Sequence, residues 1–502
     1  GRFLRCLTFY RGTANARNNP PQNPYDRPVE GIVVVVDMNA ETMVGNTAVQ
    51  GRVVHVADSG IRPTSSESGN AEEDRPPLNT LSYFEQQGPS YTRSGPEGRQ
   101  VSWQKWSFFA VLRPREGLVL YDVRFDGRRI AYRLALSEIY VPYGIADDNW
   151  TWRSAFDVGE YWLGMTAETL EHNVDVPDNA TFLSAAFPSD AGGVWAYPNS
   201  IGIHEEFGGP LWSRTDPSSF ARDARGARNL VLTWHAWIGN YIYGFNWMFR
   251  QDGSIEVVTN LTGTTLNRGT ATNLGEGAKD TSAPLVGIAP VVPGSTTAGS
   301  PDGLARVRAP NHQHFFSFRL DLDVDTLDNR VAYRDVAHVP PALAQGFKNV
   351  FVSVKSPVFN EAEGFKVVES AELTSLGGHT TEGRYAYAVE LPSLVFPLSE
   401  PDYPPLQRAA FATRPFWFTR YRDGELYAAG DFPNQGPIGA GLPAYIANAE
   451  SLDATDVVVW ATVGMTHIPR PEDYPVMPTE RIRFRIVPHG FFNRNPALGV
   501  PK

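Results

Sequence analysis

Short runs of alternating apolar and polar residues, or of consecutive β-branched residues, recur along this chain, while the three-to-four-residue spacing of an amphipathic helix is scarce. Gly31-Ile32-Val33-Val34-Val35-Val36-Asp37 is a β-branched run ending in turn residues and predicts a buried strand, with a second strand at Val53-Val54-His55-Val56. Between Asp58 and Gln100 the composition shifts to Pro, Ser, Gly and Glu, as in a long exposed connection. Beyond it, Leu118-Val119-Leu120-Tyr121-Asp122-Val123-Arg124-Phe125 turns at Asp126-Gly127, and Trp247-Met248-Phe249-Arg250 turns at Asp252-Gly253 into Ile255-Glu256-Val257-Val258. Asp-Gly between alternating runs is a strong hairpin signal. Further strands are predicted over 315–324, 385–391, 457–463 and 481–487. The pattern predicts a mainly β protein: residues 1–60 as part of a small α/β domain, 61–100 as a connection, and 101–502 as a large antiparallel β-sandwich that carries the chemistry.

Composition narrows the function classes. The 502 residues carry a net charge of −11, which opposes binding to nucleic acid or to an anionic membrane and mildly favours cationic ligands such as amines. Cys6 is the single cysteine, so no disulfide forms within the chain. No apolar run approaches the length of a membrane span, and no signal peptide is visible. The chain opens at Gly1 without a Met, as expected of a processed or truncated start. Three glycosylation triplets begin at Asn149, Asn179 and Asn260 and tip the balance toward a secreted protein, with peroxisome or cytoplasm left open.

Several clusters carry candidate chemistry. Alternate residues of a strand share a face, so His312 and His314 present two imidazoles side by side. With a third nitrogen from a distant strand they suit Cu(II), and zinc would accept them equally well. Asp157, in Phe156-Asp157-Val158-Gly159-Glu160-Tyr161, is a candidate base if an apolar pocket raises its pKa, and otherwise a surface aspartate before a turn.

Taken together these segments resemble the copper amine oxidases, over a stretch from about residue 25 to the C-terminus. The resemblance rests on Trp234-His235-Ala236-Trp237-Ile238-Gly239-Asn240-Tyr241-Ile242-Tyr243, on Asn311-His312-Gln313-His314-Phe315, on Thr466-His467-Ile468-Pro469-Arg470-Pro471-Glu472-Asp473, and on the motif around Asp157. It implies that Tyr241 becomes topaquinone, that His312, His314 and His467 hold one Cu(II), and that Asp157 removes a proton from the substrate. It also implies that Tyr143, in Val141-Pro142-Tyr143-Gly144, hydrogen-bonds the cofactor, and that Asn240 fixes the ring. Asp321, Leu322 and Asp323 with Asp456 and Val457 match the family's secondary metal site, whose carboxylate and carbonyl oxygens suit Ca(II). The implied activity is oxidation of primary amines to aldehydes, with O2 reduced to hydrogen peroxide and ammonia released, by a homodimer with hairpin arms.

The chain departs from the family pattern at several positions. Trp237 and Ile242 replace a threonine and an acid, an exchange expected to surround the quinone with apolar groups. Ala155 stands where an aromatic gate is common, which should widen the entrance. A cysteine pair frequent in the family is absent, with Gly202 at one of its positions before Ile203-His204-Glu205-Glu206. These departures keep two other readings open: a copper enzyme of the same fold catalysing a different oxidation in secondary metabolism, and a catalytically silent copper-binding protein.

Overall fold

The computed structural model describes residues 81–145, 152–269, 307–363, 366–376, 385–473 and 476–502, together with residue 150 and several short segments within the first 79 residues. Two large antiparallel sheets dominate it. One has ten strands, in the order Thr181–Pro188, Val194–Thr215, Arg222–Ile238, Tyr241–Arg250, Ile255–Gly263, Met477–Pro488, Ala386–Glu390, Ser370–Ser375, Asn329–His338 and Phe351–Val358. The other begins at an edge strand, Phe416–Arg420, followed by Val457–His467, His312–Asp321 and Arg128–Pro142. It continues through Gly117–Phe125, Trp106–Arg113 and Gln100–Trp103 to an edge strand at Tyr91–Ser94. That edge lies ahead of the expected sandwich start at 101, because a four-residue strand flanked by Gly and Pro shows too little alternation to be read.

The sheets meet through interdigitated aromatic side chains. Tyr243 and Phe316 have ring centroids 5.3 Å apart, Trp247 and Phe318 6.2 Å, and Phe108 stacks on Phe249 at 4.2 Å. Each pair joins one sheet to the other, and such contacts add roughly 0.5–1.5 kcal/mol beyond the area they bury. Both expected Asp-Gly hairpins form. At Asp126-Gly127 both residues have positive φ (55° and 77°), the geometry a two-residue turn needs to match the twist of its strands.

Before residue 60 the described elements are three antiparallel strands, Phe3–Cys6, Ile32–Val44 and Thr47–Asp58. They include the two strands expected there. The helical part of the expected α/β unit does not fall among the described residues. No helix among the described residues is long and apolar enough to cross a membrane.

Candidate copper and quinone site

The Gly239-Asn240 pair turns the strand Arg222–Ile238 back into Tyr241–Arg250. Gly239 has φ 57°, and a Cβ there would come within 3.0 Å of the Tyr25 hydroxyl, so glycine suits this corner on two counts. Tyr241 is therefore the first residue of its strand, 3 % exposed, with its ring turned into the sandwich. In the facing sheet His312 pairs directly with His467 and His314 with Met465, which puts all three imidazoles on one face.

Outer acceptors fix the tautomer of each histidine. His312 Nδ1 lies 2.9 Å from the Pro310 carbonyl, which only accepts, so Nδ1 carries the proton and Nε2 points inward as a lone pair. His467 Nε2 donates to Asp473 at 3.1 Å, leaving Nδ1 inward. His314 Nδ1 lies 3.2 Å from the Tyr243 hydroxyl, which itself donates to Asp157 at 3.1 Å. His314 Nδ1 is then the donor, and its Nε2 is buried with no hydrogen-bond partner. The inward lone pairs of His312 and His467 thus face one another, the His314 ring lies 4.9 Å from that of His312 between centroids, and burial holds His312 and His314 in the neutral form a metal requires.

The Tyr241 hydroxyl lies 2.7 Å from His312 Nε2 and 3.0 Å from His467 Nδ1, and those two nitrogens are 3.3 Å apart. One phenol proton satisfies only one of them, and neither has a proton for the other, so the nitrogen pair is not hydrogen-bonded. Two nitrogens bound tetrahedrally at about 2.0–2.1 Å to one ion would be separated by about 3.4 Å, which matches. A cation is the group this donor set fits. It would also favour ionisation of Tyr241, whose pKa is raised well above the ordinary value by burial and then by Tyr143 and the Asp473 and Glu480 carboxylates.

Asp157 opens the short helix Asp157–Tyr161 and is 2 % exposed. Glu138 anchors that helix by accepting hydrogen bonds from the amides of Val158 (3.0 Å) and Gly159 (3.2 Å). Burial pushes the Asp157 carboxyl up to about 7 against the opposing pull of the Tyr243 hydroxyl, the poise expected of a proton acceptor at neutral pH. Tyr143 bridges to His312 through the backbone, with ring centroids 5.0 Å apart, and its hydroxyl meets the Asn240 side chain. The Asn240 amide also donates to the Thr264 carbonyl at 2.7 Å, tying down the corner beside Tyr241.

Tyr243 is the residue that sequence reading missed. It joins Asp157 to His314, and its ring stacks on Tyr241 with centroids 5.7 Å apart. The available signal was its position two residues after Tyr241, on the same strand face. Asp473, which orients His467, was also passed over. One expectation is corrected: Trp237 pairs with Ile242 across the hairpin, on the opposite face from Ile238 and Tyr241, and Trp237 is 55 % exposed. The period of two along a strand turns both side chains away from the Tyr241 ring, so they do not make its surroundings apolar. Ala155 pairs with Val141 and is half-buried against the core.

A second cluster lies farther along the His312–Asp321 strand. Carboxylate oxygens of Asp321, Asp323 and Asp456 lie within 4.8 Å of one another. One oxygen of each is buried without a hydrogen-bond partner, although Arg319 reaches Asp321 at 3.1 Å and Arg129 reaches Asp323 at 3.4 Å. Desolvation and then Asp321 and Asp456 push Asp323 up to about 7. This donor set fits a hard cation. Leu322 and Val457, also expected there, are fully buried beside it. Of the three glycosylation positions, Asn149 lies outside the described residues, Asn260 sits within a strand, and the Asn179 amide already donates to Glu85 and to the Glu205 carbonyl.

Three buried histidines grouped around a buried tyrosine, with a buried carboxylate tied to one of them through Tyr243, have the make-up of a β-sandwich metalloenzyme of the oxidoreductase class. Residues 95–502 match the family model described as copper amine oxidase, enzyme domain. The chain is 33 % identical to histamine oxidase of Arthrobacter globiformis, over 98 % of this chain and 69 % of that protein. It is 32 % identical to a peroxisomal copper-containing diamine oxidase of Nicotiana tabacum (100 % and 62 %) and 30 % identical to copper amine oxidase 1 of Aspergillus niger (100 % and 73 %). A copper-containing benzylamine oxidase from Hansenula polymorpha superposes with a TM-score of 0.84 at 29 % identity, over 99 % of this chain and 76 % of that one. The chain belongs to the copper amine oxidase family, whose members use copper and topaquinone. It spans 62–73 % of the length of these three curated relatives.

Proposed function

We propose that the protein oxidises primary amines to aldehydes, releasing ammonia and reducing O2 to hydrogen peroxide, with His312, His314 and His467 as copper ligands and Tyr241 as the precursor of topaquinone. The observation that carries this reading is the Tyr241 hydroxyl set between the inward lone pairs of His312 and His467. Copper there would supply the one-electron chemistry that activates O2 and the phenol, and the quinone would supply an electron sink for the amine's α-carbon. The chain's own residues do the rest. Asp157, ionised above about pH 7, accepts the α-proton, and Tyr243 holds that carboxylate in line. Tyr143 and Asn240 restrain the ring's edge, and the aromatic walls exclude water.

The half-buried Ala155 supports a substrate of benzylamine size, in keeping with the structural relative named for that amine. Asp321, Asp323 and Asp456 with the carbonyls of Leu322 and Val457 are assigned to a structural Ca(II). A homodimer is supported by exposed aromatic residues on two long hairpins, Phe207 and Phe220 on one and Phe347 and Phe351 on the other.

The test is product stoichiometry. Benzylamine should yield equal amounts of benzaldehyde, ammonia and hydrogen peroxide, and Asp157→Asn should slow aldehyde release by at least the roughly 10²-fold typical of losing a general base. Oxidation of the amine without peroxide, or an unchanged rate in Asp157→Asn, would contradict the proposal.

A further inference from the structure

Beside the proposed copper site lies a cavity of about 10 Å³, room for the centre of one water-sized molecule. Tyr241, His314, His467 and Glu480 line one part of it and Met465, Met477 and Leu261 the rest. The chain has six methionines, so a third of its thioethers face this one small space. Backbone pairing holds both in place. Met465 is the cross-strand partner of His314, and Met477 pairs with Gly263 while its carbonyl accepts from the Thr262 hydroxyl at 2.8 Å. Met477 is only 4 % exposed, so an oxidant in bulk solvent reaches it poorly, whereas one released into the cavity is already in contact.

We infer that Met465 and Met477 are modification sites at which peroxide formed by the enzyme itself converts thioether to sulfoxide. The inference rests on the proposed reduction of O2 to hydrogen peroxide at this site. In the step, a sulfur lone pair attacks one peroxide oxygen, an S–O bond forms and the O–O bond breaks. Sulfur is oxidised by two electrons, and the second oxygen leaves with both protons as water. The added oxygen is polar and takes up room in a cavity with space for little more than one water molecule. Each event therefore crowds Tyr241 and His314, and the enzyme limits its own working life.

The experiment compares two ways of exposing the copper-loaded, quinone-containing enzyme to peroxide. In one, benzylamine is turned over in air with catalase in solution, so that only peroxide caught before release can react; a parallel run without catalase measures peroxide output. In the other, resting enzyme receives the same total peroxide. Peptide mass spectrometry then reads the gain of one oxygen at each methionine. Met165 and Met248, half-buried outside the cavity, serve as internal references.

During turnover Met465 and Met477 should be oxidised several-fold more than Met165 and Met248. With added peroxide the order should follow exposure, with Met477 last. Met465→Leu and Met477→Leu proteins should each lose less of their own initial rate per mole of product. Equal oxidation of the four methionines during turnover, or peroxide output without sulfoxide at Met465 or Met477, would overturn the inference while leaving the amine oxidase reading intact. Amine turnover without peroxide would overturn both.

Discussion

Replacing Tyr243 with phenylalanine removes one hydroxyl and keeps the ring that stacks on Tyr241 at 5.7 Å and meets Phe316 at 5.3 Å. That hydroxyl donates to Asp157 at 3.1 Å and stabilises its charged form against the burial that raises it to about 7. A hydrogen bond to a charged group contributes roughly 1.5–3 kcal/mol. At about 1.4 kcal/mol per pH unit, losing it raises the Asp157 pKa to about 8–9. The base is active when ionised, so the rising limb of kcat/KM should move upward by about one to two pH units, in the direction of a weaker carboxylate. At pH 7 the variant should keep between roughly a fifth and a fiftieth of wild-type kcat/KM, and at pH 9 it should recover about half or more of it. The assay is the pH profile of kcat/KM for benzylamine, normalised to quinone titrated with phenylhydrazine, so that incomplete cofactor formation does not enter. A limb that stays near 7, or moves to lower pH, would show that Tyr243 does not tune the base.

Two further outcomes follow from the same geometry. His467→Ala removes the lone pair that faces His312 Nε2 and leaves Asp473 without its imidazole partner; metal analysis should show copper well below one per chain and no quinone should form, whereas full copper content would take His467 out of the site. With Ala155 in place of an aromatic residue and no carboxylate assigned to a second ammonium, benzylamine should exceed putrescine in kcat/KM, and a clear preference for putrescine would reject the wide entrance.

How much of this was legible in the sequence depends on how far each feature reaches along the chain. Tyr241, His312 and His314 sit in local motifs whose strand period brings side chains to one face, and His467 joins them through a register that pairs it with His312. The Asp-Gly hairpins were legible because turn chemistry is local. The function of Tyr243 was not, since its partners Asp157 and His314 lie 86 and 71 residues away in sequence and meet it only when the two sheets pack. Trp237 and Ile242 were misjudged for a different reason. Nearness in sequence to Tyr241 suggested nearness to its ring, while the alternation of the strand, itself readable, puts them on the other face. The Tyr91–Ser94 edge strand was hidden in a segment rich in polar residues, Gly and Pro, where four residues carry no pattern.

The central claim is that Tyr241, held between His312 and His467, becomes the redox cofactor. It is tested most directly by visible absorption of the copper-loaded protein in air, before and after phenylhydrazine, for wild type and Tyr241→Phe. Wild type should develop a quinone band that phenylhydrazine converts to a new, more intense band. Tyr241→Phe should bind copper and show neither. A wild-type protein that binds copper yet never develops the band, or a Tyr241→Phe protein that does, would contradict the account.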